Sequence, residues 1–256
     1  MNEINQQEVV AVSQTDATAR DCMAEMAQRL RNILALDGLE DFLRTHRLPG
    51  AFFDEYRAAL DAYDRYIAHI IAAEGLDVSC RAGCSACCRH ELARGITLVE
   101  VLAIYRFVRG WPDIGPVYEA AGENAVVFQR LLREELRQDP APLGADDPRV
   151  YSAHVAYNRE ERPCPFLDQA EGLCRIYPVR PLVCRWFHNL SPPQWCEPSH
   201  PQYLARNAVG VYPYREINDL MADIARRLGV ATLNYLSGAF AHVAGDVLQG
   251  RPIAEA

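Results

Sequence analysis

Hydrophobic positions recur along much of this chain at steps of three and four, the period of an α-helix that buries one stripe. From Ala17 to about Leu36 the apolar residues Met23, Met26, Leu30, Ile33 and Leu34 keep that spacing. A second, short helix is expected over Leu39–His46, ending before Pro49. Phe52, Tyr56, Leu60, Tyr63, Ile67 and Ile70 then step by 4, 4, 3, 4 and 3, which predicts a long helix stopping near Gly75. Thr97 followed by Glu100 has the form of a capping box, opening a helix over Leu98–Val108 that Gly110-Trp111-Pro112 ends. Residues 116–138, Tyr214–Leu228 and Ala231–Leu248 carry further helical patterns, the last two separated at Gly229.

Strand signals are sparse. The best is Cys164-Pro-Phe-Leu, a turn over Asp168–Gly172, then Leu173-Cys-Arg-Ile-Tyr177, which reads as a short hairpin. Two short strands alone are marginally stable, so a metal is expected to staple them. The stretch Pro140–Pro148 reads as a surface loop in which Asp146 and Asp147 are solvated, and residues 1–15, polar and unpatterned, are expected to be disordered. The expected fold is therefore mainly α: a helical scaffold around a loop-rich cysteine region, with at most a short β-hairpin. Along the chain this divides into N-terminal helices over 16–77, the cysteine-rich region over 78–200, and C-terminal helices over 201–256 that pack on the same single domain.

A chain of 256 residues, half of them apolar, can bury a sizeable core without help from a metal. The formal charge of −8 leaves no global basic field, which disfavours general nucleic-acid or anionic-membrane binding. No basic segment followed by an apolar stretch opens the chain, and no 18-residue apolar run occurs, so a cytoplasmic, non-membrane protein is expected. In that compartment thiols stay reduced, and clustered cysteines point to metal or redox chemistry before disulfides.

Eight of the nine cysteines fall in two segments. The first is Cys80-Arg-Ala-Gly-Cys84-Ser-Ala-Cys87-Cys88; the second contributes Cys164, Cys174, Cys184 and Cys196. Short spacings around Gly83 let the backbone turn so that successive sulfurs face one centre. The adjacent Cys87 and Cys88 are hard to seat on one tetrahedral ion: either they serve two metal atoms, or one is a ligand and the other a supporting thiol. Thiolate softness favours zinc or iron–sulfur, and both take four cysteines, so the count leaves the metal and the number of centres open. Arg81, Arg89, Arg175, Arg180 and Arg185 lie within or beside the motif, where guanidinium groups can offset a thiolate-bound centre's negative charge or grip an anionic substrate.

These residues resemble a known family. The run Cys80-x₃-Cys84-x₂-Cys87-Cys88, then Cys164-Pro-Phe-Leu, then Cys174-Arg-Ile-Tyr-Pro-Val-Arg-Pro-Leu-Val-Cys184-Arg-Trp-Phe closely resembles the YkgJ-type, or CxxCxxCC, proteins, a zinc- or iron-chelating group. The match spans roughly residues 78–200, and Ser85 stands where the family commonly has glycine. The resemblance implies metal binding and leaves any reaction open. The flagellin lysine N-methylases carry a similar cysteine domain in a longer chain, linked to an iron–sulfur centre and S-adenosylmethionine, which adds a cluster-dependent enzyme to the readings. Although Cys80–Cys87 reproduces the C-x₃-C-x₂-C spacing of radical enzymes, the repeated strand–helix pattern of their barrel is missing.

The remaining candidates have plainer readings. Cys22, beside Met23 and Met26, is expected to be a buried structural thiol. His90, His188 and His200 flank the cysteines and could replace a thiolate; Tyr177, Trp186, Phe187 and Trp195 could wall the centre from water. There is no Gly-rich phosphate loop, G-x-S-x-G elbow or H-E-x-x-H pair, and no catalytic residue is assigned. The leading expectation is a Cys-ligated iron–sulfur cluster of the [4Fe–4S] type, flanked by Arg81, Arg180 and Arg185, serving electron transfer, metal handling or a cluster-dependent modification with a protein redox or substrate partner. The alternatives are a structural Zn²⁺ module that presents a surface to a partner, and an enzyme whose cluster keeps an open iron position.

Overall fold

A computed structural model describes residues 6–8 (backbone only), 15–81, 83–90, 93–139, 147–230 and 235–255. The first long helix, α1 (Ala17–Leu34), begins where Asp16 accepts the Ala19 N–H at 2.8 Å. Its buried face is the Met23, Met26, Leu30 and Ile33 stripe read from the sequence. A 3₁₀ turn at Leu39–Asp41 leads into α2 (Phe42–Thr45), which His46 ends in a left-handed conformation with φ of 51°. The short strand β2 (Arg47–Leu48) follows, then α3 (Phe52–Ala73).

Helices α1 and α3 lie antiparallel, because Asp16 at the start of α1 meets His69 near the end of α3 (2.6 Å) while Asn32 meets Glu55 (3.2 Å). Beyond a short helix, α4 (Ala86–His90), comes α5 (Leu98–Val108), whose residues are buried on nearly every side. That all-round burial makes α5 the centre of the molecule, in keeping with its uniformly apolar sequence. The main core gathers side chains from α1, α3 and α5, together with α9 (Arg215–Leu228) and α10 (Leu236–Ala241). A smaller cluster joins α6 (Ile114–Gln138) to α7 (Pro148–Asn158) through Phe128, Leu131, Ala153, Tyr157 and Tyr235.

The chain is mainly α, with helix ends close to those expected. Gly229 closes α9 in the left-handed region, its N–H reaching the Ala225 carbonyl at 3.2 Å. The last helical pattern is less regular: α10 runs into a π-helical stretch, His242–Val247. Helix α7 was not anticipated. Its N-cap is Asp147, expected to be solvated, whose carboxylate instead accepts the Arg149 N–H at 2.9 Å and pairs with the Arg149 guanidinium at 2.6 Å. Asp146 and most of the expected 140–148 loop lie outside the described residues.

Strands are few and short. The expected hairpin is present as β3 (Leu167–Asp168) and β4 (Leu173–Cys174), with Leu167 opposite Cys174. Two further sheets go beyond it. Strand β5 (Phe187–Asn189) lies antiparallel to β6 (Ala208–Gly210), and β1 (Gln6–Glu8) lies parallel on the other edge of β6. The other pairs β2 in parallel with β7 (Ala254–Glu255). The rest of the N-terminal stretch expected to be disordered, apart from Thr15, lies outside the described residues. Among the described residues no helix is long and apolar enough to cross a membrane.

Candidate metal centre

The two cysteine segments are stitched together at four places by groups other than the thiols. At one end, the Ser79 N–H donates to the Asn189 carbonyl at 2.9 Å, and the Asn189 N–H points at Cys80 Sγ at 3.2 Å. In the middle, the Cys164 N–H donates to the Cys88 carbonyl at 2.7 Å. His90 Nε2 sits 2.8 Å from the Cys196 carbonyl, which makes Nε2 the protonated nitrogen. Fourth, the turn at Gly172 packs on the first segment so closely that an added Cβ would lie 3.2 Å from the Gly83 carbonyl. Gly172 also has φ of +67°, so both space and backbone conformation select glycine there.

A buried carboxylate sets the position of the second segment on the helical scaffold. Glu100 caps α5 as the sequence predicts, accepting the Thr97 N–H at 2.6 Å and the Thr97 hydroxyl at 2.8 Å. Its other oxygen accepts the Leu182 N–H at 2.8 Å, which fixes the approach to Cys184. Burial raises the Glu100 carboxyl above its ordinary range, partly offset by those hydrogen bonds. Arg185, at the end of this loop in α8 (Val183–Trp186), is 1% exposed. It donates to the Arg180 and Pro178 carbonyls, both at 2.9 Å, and pairs with Asp64 of α3. The loop from Tyr177 to Cys184 is thus bolted to both α3 and α5.

The thiols fall into two neighbourhoods that share Cys87. Cys164 feels charge on Cys174, Cys184 and Cys87, Cys184 feels Cys174 and Cys87, and Cys174 feels Cys87. Cys80 and Cys196 likewise feel Cys84 and Cys87, and Cys196 also feels Cys80. Burial raises the Cys80, Cys164, Cys174 and Cys184 thiols above their ordinary value and pushes Cys196 up to about 12. Cys80 and Cys184 are accessible at their own surface, so for them this desolvation comes from the surrounding protein rather than from enclosure. Backbone N–H groups oppose it: Asn189 at Cys80, Phe166 at Cys164 and Ile176 at Cys174. Among the described residues all nine cysteines are free thiols, with Cys22 packed in the core face of α1.

Of the arginines expected at a cofactor, Arg180 lies where Cys80, Cys174 and Cys184 each feel its positive charge, with its guanidinium 4.2 Å above the Tyr177 ring. Arg81 is exposed beside Cys80, and its carbonyl accepts the Cys84 N–H at 2.9 Å. Arg185 spends its donors on the loop, as above. Arg175 is turned away, in a bidentate pair with Asp113 at 2.7 and 2.8 Å, and Arg89 donates to the Ser85 hydroxyl at 3.1 Å. Arg206, which sequence reasoning passed over, stands by Cys196 and lowers its thiol.

The histidines separate in the same way. His90 and His188 are buried, each with one ring nitrogen unsatisfied, and burial beside Arg180 takes His188 down to about 4. His200 accepts the Gln202 N–H at 3.1 Å and stacks on Trp195. The expected apolar wall is incomplete, because Tyr177 is 54% exposed, its ring occupied by Arg180. Asn189 was not singled out from the sequence, although its side chain also donates to Ser79 Oγ (2.8 Å) and the Ser191 carbonyl (2.6 Å).

Chemically, the donor set suits a thiophilic metal. The gathered donors are cysteine sulfurs with the His90 and His188 rings beside them, N–H groups are aimed at Cys80, Cys164 and Cys174, and Arg180 and Arg206 supply compensating charge. The thiols are gathered rather than closed: among the described residues no three His, Cys, Asp or Glu side chains already surround one point as an ion's ligands. Residues 79–207 match the CxxCxxCC family, whose description is "Putative zinc- or iron-chelating domain". The chain belongs to this family. No curated protein and no solved structure matches the chain. As a CxxCxxCC protein it carries the family's cysteine segment among helices, and about half of the chain lies outside the matched region.

Proposed function

We propose that this CxxCxxCC protein holds an iron–sulfur cluster through cysteines of both segments, for electron transfer, metal handling or a cluster-dependent modification. The observation that carries the reading is the set of backbone N–H groups aimed at Cys80, Cys164 and Cys174. N–H to sulfur hydrogen bonds stabilise thiolate over thiol and are a principal means by which proteins set cluster potentials. Cys164, Cys174, Cys184 and Cys87 would form one ligand group, with Cys80, Cys84 and Cys196 on its other side; Cys88 contributes its carbonyl to the stitching. When bound, the cluster supplies one-electron chemistry. The chain's own part is to orient the sulfurs, through Glu100 and Arg185, and to balance their charge, through Arg180.

The test is the iron, zinc and acid-labile sulfide content of anaerobically purified protein, with its visible spectrum taken before and after dithionite. Iron with matching sulfide and a band that bleaches on reduction supports the reading. Stoichiometric zinc without sulfide or colour overturns it in favour of a closed, redox-silent structural site.

A further inference from the structure

A cavity of about 450 Å³ opens between α3, α5, the Pro178–Val179 turn and the C-terminal strand. Its volume is that of a small-molecule site. The apolar lining comes from Phe53, Tyr56, Leu60, Val179 and Ile253. Three arginines, Arg57, Arg106 and Arg109, surround it, and the one acidic residue in the lining, Glu255, is already paired with Arg106. Arg106 also lies 4.6 Å above the Phe53 ring, so the side chain is fixed from two directions. Among the described residues neither Arg57 nor Arg109 has an ion-pair partner.

Two guanidinium groups without ion-pair partners thus stand beside an apolar floor. A ligand held here must meet both the charge and the floor. We propose that this cavity binds a small anion, a carboxylate or phosphate carried on a flat apolar body. The anionic group would be met by Arg57 and Arg109, whose forked donors suit either oxyanion, and the body would lie against Leu60, Val179 and Ile253. The inference is independent of which metal the cysteines hold, although the ligand would rest on the same turn that leads to Cys184 and whose Pro178 carbonyl receives Arg185.

The test is titration calorimetry of the full chain as isolated, using 1-naphthoate, phenyl phosphate and the uncharged 1-naphthylmethanol. One of the two anions should bind at a single site, and the alcohol much more weakly. R57Q/R109Q, altering two exposed side chains, should weaken the anion by about tenfold or more while leaving the alcohol and the thermal midpoint unchanged. Equal binding of alcohol and anion, unchanged anion affinity in R57Q/R109Q, or no binding of either anion would each overturn the proposal.

Discussion

The buried carboxylate of Glu100 accepts the backbone N–H of Leu182 at 2.8 Å, joining the cap of the central helix to the loop that carries Cys184. With its two bonds to Thr97, this single side chain satisfies three donors, in a place water does not reach. Glu100→Ala leaves those donors unmet and should cost roughly 3 kcal/mol, read as a lower midpoint in urea unfolding. Glu100→Gln should recover only part of this, because its NH₂ must face a donor. A loss below about 0.5 kcal/mol for the alanine variant would show the loop held by other means.

Arg185 presents the same logic with charge. Its guanidinium is buried while its partner Asp64 is half exposed, so the pair is only partly screened. Removing Arg185 abandons the Arg180 and Pro178 carbonyls as well as Asp64, and Arg185→Ala should destabilise by roughly 3 kcal/mol. Lysine cannot reproduce the planar fork, so Arg185→Lys should restore less than half of the loss. Equal stability of the lysine variant and the parent in chemical denaturation would assign Arg185 a purely electrostatic role.

Cys22 and Cys184 should behave oppositely. Cys22→Ala removes a small buried group from the face α1 turns to α3, costing about 1 kcal/mol while leaving metal per chain unchanged. Cys184→Ser should lower bound metal with little change in the helical signal. Metal analysis beside circular dichroism on both variants separates the two, and metal loss in Cys22→Ala would contradict the division.

Acid should reveal His154. Burial, helped by Arg94, lowers it to about 4, and its Nδ1 has no hydrogen-bond partner. The unfolded chain takes up this proton near pH 6.5, the folded chain only near 4. Stability therefore falls as pH falls across that window, by up to about 3 kcal/mol, and levels off below it. In His154→Gln this component of the slope should vanish; an unchanged slope would place the titration elsewhere.

How far the sequence could be read follows from the range of each interaction. Met23 to Ile33 and Phe52 to Ile70 were legible because a buried helical face repeats within one turn. Thr97 and Glu100 were legible as a cap three residues apart, but the bond from Glu100 to Leu182 depends on a meeting that spacing does not encode. Strands β5 and β6 are three residues each, too short for alternation to appear. Helix α7 buries only Ala153 and Tyr157, so its stripe is faint, yet Asp147 before Pro148 was a start signal that could have located it. The cysteines announced themselves by clustering. Their shared member, Cys87, and the N–H groups that poise them emerge only once the segments are folded together.

The Cys88 carbonyl and the Cys164 N–H, 2.7 Å apart, mark the ends of a stretch that contains α5, α6 and α7. Any ion or cluster bridging thiols on both sides of that contact turns the stretch into a closed ring. In the chain-entropy account a ring of this size is worth roughly 4 kcal/mol, the amount a disulfide would give. Loading would thus act as a reversible crosslink, one that a chelator opens by removing the metal and not by breaking a sulfur–sulfur bond. The central helix is inside that ring, so its resistance to unfolding reports whether the clasp is shut.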